Sequence, residues 1–236
     1  KGGLRYSEDG GVTWSGKDRS VGDSIPSFQS WTAHDYLMYK SGFPSDSRRE
    51  NIGQPISFVP GVPNELLYVI PKNGGLMRSL DFGATFESYA TGGPNKDIGQ
   101  IAVAPGDPGR WGISVYEQGY AVTKNDGKLW RGATHRNNPE LAPLPSMAEE
   151  AGDWWTAART AGGIAYNPSN PEIMIGTFAR QGYIVRSNDG GLNWSYTGKR
   201  TPGLGHMDVY WKPANPSRVY AGMMKSNDAG ESWTNI

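Results

Sequence analysis

The sequence predicts an all-β fold in which short antiparallel strands recur in similar units, and three observations lead there. The composition is rich in turn formers and aromatics: 33 Gly, 17 Pro, 9 Trp and 12 Tyr in 236 residues, with 36% hydrophobic residues. That balance suits many short strands joined by tight turns. A box recurs five times, with Ser or Thr first, Asp or Asn two positions on, Gly four on and an aromatic seven on. A Pro-x-x-Pro turn recurs four times, each between apolar runs of strand length.

The boxes are Ser7-Asp9-Gly11-Trp14, Ser79-Asp81-Gly83-Phe86, Thr123-Asn125-Gly127-Trp130, Ser187-Asp189-Gly191-Trp194 and Ser226-Asp228-Gly230-Trp233. Their spacing fits a hairpin turn in which Asp9, Asp81, Asn125, Asp189 and Asp228 accept hydrogen bonds from backbone N–H groups. The Gly supplies a positive φ and the aromatic fills the gap to the next sheet. The Pro turns are Pro60/Pro63, Pro105/Pro108, Pro168/Pro171 and Pro213/Pro216. PISFV, IAVA, GGIAY and DVYW read as the strands before these turns, and LLYVI, WGISVY, IMIGTF and RVYAG as the strands after them. One unit is therefore strand, Pro turn, strand, Gly-containing turn, strand, box, strand. Four antiparallel strands of this kind make one blade of a β-propeller.

The units place a half-blade at 1–16 and blades at about 52–90, 98–132, 161–197 and 204–236, which is about 4.5 blades in a single domain 1–236. Residues outside this chain, or another chain, are expected to complete a larger ring, because an open ring leaves edge strands exposed. The last unit is short: Pro213 and Ser226 lie 13 positions apart, against 19 for Pro60 and Ser79. Its central hairpin is expected to be clipped.

The boxes resemble those of the Asp-box (BNR) superfamily, which includes sialidases, xyloglucanase-type glycoside hydrolases, sortilin-type receptors and photosystem assembly factors. The resemblance spans nearly the whole chain. It implies a propeller whose boxes serve structure, away from the ligand face. The Arg-Ile-Pro strand of sialidases has no counterpart, since Ile25-Pro26 lacks the preceding arginine.

Strand alternation predicts that Pro turns and boxes share one face, leaving the Gly turns and blade connections on the other. Two segments there are long, 17–51 and 133–160, and long loops on a rigid scaffold commonly carry function. The first holds Trp31, His34, Asp35, Tyr36, Tyr39 and Phe43; the second holds His135, Glu149, Glu150, Asp153, Trp154, Trp155 and Arg159. Trp31, His34, Tyr36, Trp154, Trp155 and Arg159 suit a polar ligand such as a sugar, whose apolar C–H faces stack on aromatic rings. The same aromatics serve equally to anchor the loops. Glycoside hydrolysis needs two carboxylates flanking the bond, for which Asp35, Glu149, Glu150, Asp153 and Asp208 are the candidates.

Other classes find no support. With 23 basic and 23 acidic residues the chain has no electrostatic footprint for nucleic acid or an anionic membrane, and no apolar run is long enough for membrane insertion. There is no cysteine, and His34, His135 and His206 lack metal-ligand spacing, so no metal is expected. No Gly-rich phosphate loop marks a nucleotide cofactor. The resulting expectation is an extracellular, cell-surface or virion-displayed binding or scaffold propeller that contacts glycans or protein partners. A xyloglucanase-like hydrolase is the alternative, and an assembly chaperone is third.

Overall fold

A computed structural model describes residues 9–10, 12–13, 56–70, 75–89, 98–115, 119–133, 161–178, 182–201 and 208–236. Among them four sheets form, each of four strands. Sheet 1 comprises β1 (Ile56–Phe58), β2 (Leu66–Ile70), β3 (Gly75–Ser79) and β4 (Glu87–Ser88). Sheet 2 comprises β5 (Ile98–Val103), β6 (Trp111–Val115), β7 (Gly119–Thr123) and β8 (Trp130–Ala133). Sheet 3 comprises β9 (Ala161–Tyr166), β10 (Met174–Phe178), β11 (Tyr183–Ser187) and β12 (Ser195–Arg200). Sheet 4 comprises β13 (Val209–Trp211), β14 (Val219–Ala221), β15 (Met224–Ser226) and β16 (Thr234–Asn235). Strand order in every sheet follows chain order and every pairing is antiparallel, so each sheet is a simple meander.

Successive sheets pack face on face, and each contact has its own core. Between sheets 1 and 2, Val59, Leu67 and Leu76 meet Ile101, Trp111, Ile113 and Val115. Between sheets 2 and 3, Ala104, Tyr120 and Val122 meet Ile164, Tyr166, Met174 and Val185. Between sheets 3 and 4, Ile175 and Ile184 meet Val209, Trp211, Val219 and Met224. A strand sandwiched this way is buried on both sides, which is why β6 and β7 are buried at every position and read as largely apolar runs, with Ser114 and Thr123 the buried polar members.

Residue size is matched across these contacts. The Tyr120 ring lies over Gly176, where an added Cβ would come within 2.7 Å of the ring. Trp111, fully buried, donates its indole N–H to the Pro108 carbonyl at 2.6 Å and meets the rings of Tyr89 and Trp130. In sheet 4 the central hairpin is present but clipped, as its spacing predicts. Three-residue strands β14 and β15 are joined by Gly222 and Met223, with Gly222 at φ 54°.

Candidate binding end of the propeller

The meander gives the four-sheet array two ends of different chemistry. At one lie the Pro turns and the boxes; at the other lie the second-to-third strand turns and the sheet-to-sheet connections. The turns of the box end are tied by repeated internal hydrogen bonds. In the four boxes from Ser79 onward the first hydroxyl accepts from the Gly amide: Gly83 to Ser79 at 2.7 Å, Gly127 to Thr123 at 3.1 Å, and Gly191 to Ser187 and Gly230 to Ser226 at 2.8 Å. Oδ1 of the Asp or Asn accepts from the amide four residues on. That bond is 2.8 Å from Thr13 to Asp9 and from Thr85 to Asp81, and 2.9 Å from Leu129 to Asn125, Asn193 to Asp189 and Ser232 to Asp228.

These bonds favour the ionised carboxylates. The Thr85 hydroxyl and amide hold the Asp81 carboxyl down at about 2. At Asp228, desolvation pushes upward but is outweighed by the Ser226 and Ser232 hydroxyls and the Ser232 amide, again to about 2. At Asp189, desolvation is likewise outweighed, mainly by Asn193, and the carboxyl lies below its ordinary range.

Two features of the boxes differ from the expectation drawn from spacing. The aromatic fills the gap toward the preceding sheet: Trp194 lies in the core between sheets 2 and 3, and Trp233 in that between sheets 3 and 4. The box glycine faces the same neighbour, Gly191 against Val122 and Gly230 against Ile175, so the turn leans on the sheet already packed there. A positive φ also falls on the residue before the Gly, at Phe82 (57°), Asp126 (56°), Gly190 (71°) and Ala229 (58°). That conformation turns an amide onto the Pro turn of the same sheet. Phe82 N–H donates to the Asn64 carbonyl, Asp126 to Gly109, Gly190 to Glu172 and Ala229 to Ser217, at 2.8–2.9 Å. Ties between sheets complete this end: Arg110 to Glu172 at 2.7 Å, Arg186 Nε to the Ala229 carbonyl at 2.9 Å, and Asn167 Nδ2 to the Pro216 carbonyl at 2.7 Å.

The opposite end has the free connections. The chain leaves β8 at Ala133 and re-enters sheet 3 at Ala161, and both residues stand at this end. Beneath Ala161 lies a buried polar network that residue patterns alone did not single out. Tyr120 O–H donates to the Thr177 carbonyl, Gly163 N–H donates to Thr177 Oγ1 at 2.9 Å, and Ile164 N–H donates to Gln100 Oε1 at 2.9 Å. Burial raises the Tyr120 phenol well above its ordinary range, keeping it a neutral donor. Gln100 inside the apolar run IGQIAV was the available sequence signal. The ladder breaks register at Ile98/Gln100 and at Gly176/Phe178, which frees backbone groups for these bonds.

Asp208 stands exposed at this end, immediately before β13, its carbonyl accepting from Gly222 N–H at 3.3 Å. Trp31, His34, Asp35, Tyr36, Glu149, Glu150, Asp153, Trp154, Trp155 and Arg159 lie outside the described residues. Among the described residues, no group of three or more His, Asp or Glu could hold a metal ion, and no helix is long and apolar enough to cross a membrane.

No family model and no curated protein matches the chain. Solved structures do. An ancestral GH74 enzyme superposes with a TM-score of 0.55 at 18% identity, over 79% of this chain and 24% of that one. The GH74 xyloglucanase from Xanthomonas campestris gives 0.52 at 15%, over 77% and 24%. An auxiliary nutrient binding protein from Bacteroides thetaiotaomicron gives 0.52 at 14%, over 78% and 41%. The fold is that of a β-propeller. The propeller sheets of this chain span about a quarter of the length of the two GH74 structures. At these identities the likeness speaks for the fold alone, which hosts enzymes and binding proteins alike.

Proposed function

We propose that the chain is a binding and scaffold module that contacts glycans or protein partners through segments 17–51 and 133–160, at the end of the propeller away from the boxes. One observation carries this reading: the box end is made of short turns tied to one another by internal bonds, whereas the chain exits at Ala133 and re-enters at Ala161 on the other end, above the buried Gln100–Tyr120–Thr177 network. In this reading Trp31, Tyr36, Trp154 and Trp155 stack on the ligand, and His34 and Arg159 bond its polar groups. Such ligands imply display at a cell surface, outside the cell or on a virion.

Calorimetric titration with xyloglucan oligosaccharides is the test. Binding lost by at least about tenfold in Trp154→Ala/Trp155→Ala, with an unchanged thermal midpoint, supports the reading for glycans. Wild-type affinity retained in that variant would remove the 133–160 segment from the site. The hydrolase alternative predicts new reducing ends from xyloglucan, abolished by Glu149→Gln or Asp153→Asn; binding without cleavage leaves the module as proposed.

A further inference from the structure

The sheets are built on one plan, so each repeat serves as a control for the others. In sheet 2 the register sets Gln100 of β5 opposite Ser114 of β6, and Ser114 opposite Tyr120 of β7. The three side chains therefore form one row on one flank, the flank that meets sheet 3, and all three are buried. Counted from the boxes, the position of Tyr120 is held by Leu76 in sheet 1, Ile184 in sheet 3 and Met223 in sheet 4. Filling the core at this point takes only an apolar side chain, as Leu76 and Ile184 show. Sheet 2 instead buries a phenol and an amide, which costs free energy unless each is bonded.

Both are bonded across the contact, to the strand by which the chain re-enters the fold. Tyr120 O–H donates to the Thr177 carbonyl and stands 3.3 Å from that of Gly163, and Gln100 Oε1 accepts from Ile164 N–H at 2.9 Å. The ladder of β9 and β10 slips between Gly176 and Phe178, so the backbone just past Ala161 is held by side chains: Gly163 N–H by Thr177 Oγ1, and the Thr177 carbonyl by Tyr120. The same tyrosine meets the point of exit, for in the β7–β8 ladder it pairs with Ala133. Tyr120 thus lies by its backbone against the strand from which segment 133–160 departs, and by its side chain against the strand to which it returns. The other two contacts are bridged by the short connections 89–97 and 201–208. Among the described residues, side-chain hydrogen bonds between sheets 3 and 4 lie toward the Pro turns and boxes, and those at the loop-bearing end belong to the contact of sheets 2 and 3.

We propose that Tyr120 and Gln100 are positioning residues. They fix the entry of the chain into sheet 3 against its exit from sheet 2, and so set the two roots of the segment that carries the binding site. The proposal rests on the reading of segment 133–160 as part of that site; both residues are buried beneath it and act through the backbone at Ala133 and Ala161 rather than on the ligand.

Tyr120→Phe keeps the ring against Gly176 and Trp194 and removes only the hydroxyl, and Gln100→Met keeps the length and removes the acceptor. Val219→Ala, in the core between sheets 3 and 4, is the control that loosens the fold away from this contact. Two readouts are taken at a temperature where circular dichroism shows every variant folded. One is affinity for xyloglucan oligosaccharides; the other is the rate of tryptic cleavage after Arg136 and Arg159 of the segment, which needs no ligand. The expected result is that Tyr120→Phe and Gln100→Met each weaken binding and speed cleavage by about tenfold, while Val219→Ala changes neither by more than about twofold. A wild type that binds no oligosaccharide removes the glycan reading of the site, and the cleavage rates then decide the positioning role alone. Unchanged cleavage in both variants overturns the proposal, and so does faster cleavage with unchanged affinity in a chain that binds. Equal effects in Val219→Ala overturn it as well, because they make the two residues ordinary parts of the core.

Discussion

A single side-chain oxygen in each box ties a turn together, and where it belongs to a carboxylate its protonation is the simplest way to loosen the turn. Asp81 and Asp228 titrate near 2 in the folded chain against an ordinary 3.8, so the folded state binds protons less readily than the unfolded one. With the folded value depressed, the stabilisation is complete above about pH 4 and is lost as pH falls through about 2. Both groups are largely exposed and solvent-screened, so each contributes modestly and the effect is their sum. The urea midpoint should therefore drop between about pH 4 and pH 2, and Asp81→Asn/Asp228→Asn should flatten that slope. Asn125 shows that an amide oxygen serves the same turn, its Oδ1 accepting from Leu129 N–H at 2.9 Å. An unchanged slope in the double variant would assign the acid sensitivity elsewhere. The hydroxyl residue, the Asp or Asn and the glycine of each box were legible in the sequence because the turn is local. The positive φ at Phe82 and Ala229 was not, because it serves a bond to a Pro turn 18 and 12 positions away.

At the scale of the element, strands are specified by what covers them. The β6 and β7 runs are apolar at nearly every position because sheets lie on both sides, and Gly176 within the similar run of β10 marks where a neighbour's large ring fits. Gly176 has an ordinary φ, so Gly176→Ala tests space alone: the new Cβ meets the Tyr120 ring, and about 1–3 kcal/mol of stability should be lost in chemical denaturation. A loss under about 0.5 kcal/mol would mean that the two sheets part easily. The outer strand β12 is guarded differently. It breaks register against β11, places Gly198 at φ 72° and presents Lys199 and exposed Arg200, whose guanidinium lies 4.3 Å from the centre of the Tyr183 ring. Twist and charge of this kind discourage a further strand from pairing there.

Among the described residues, cohesion comes from three cores joined through the sheets between them, as in other repeat architectures. Trp111 is the largest fully buried side chain of the first. Trp111→Ala should cost about 3–5 kcal/mol and lower the thermal midpoint by about 10 °C. If the cores are coupled, tryptophan fluorescence and far-UV dichroism will still report one transition. Two transitions, with sheets 3 and 4 melting later, would show that the first core acts alone.

By itself the sequence determined the four-stranded repeat, the Pro turns, the boxes, the clipped last hairpin and the all-β class, because each depends on residues close in the chain whose spacing reflects strand and turn geometry. Tertiary structure decided the rest: that box aromatics pack toward the preceding sheet, and that Gln100, Tyr120 and Thr177 form one buried network. Each of these depends on which face of one sheet meets which face of another. Strand periodicity shows that a face exists but carries no label for the surface that lies against it.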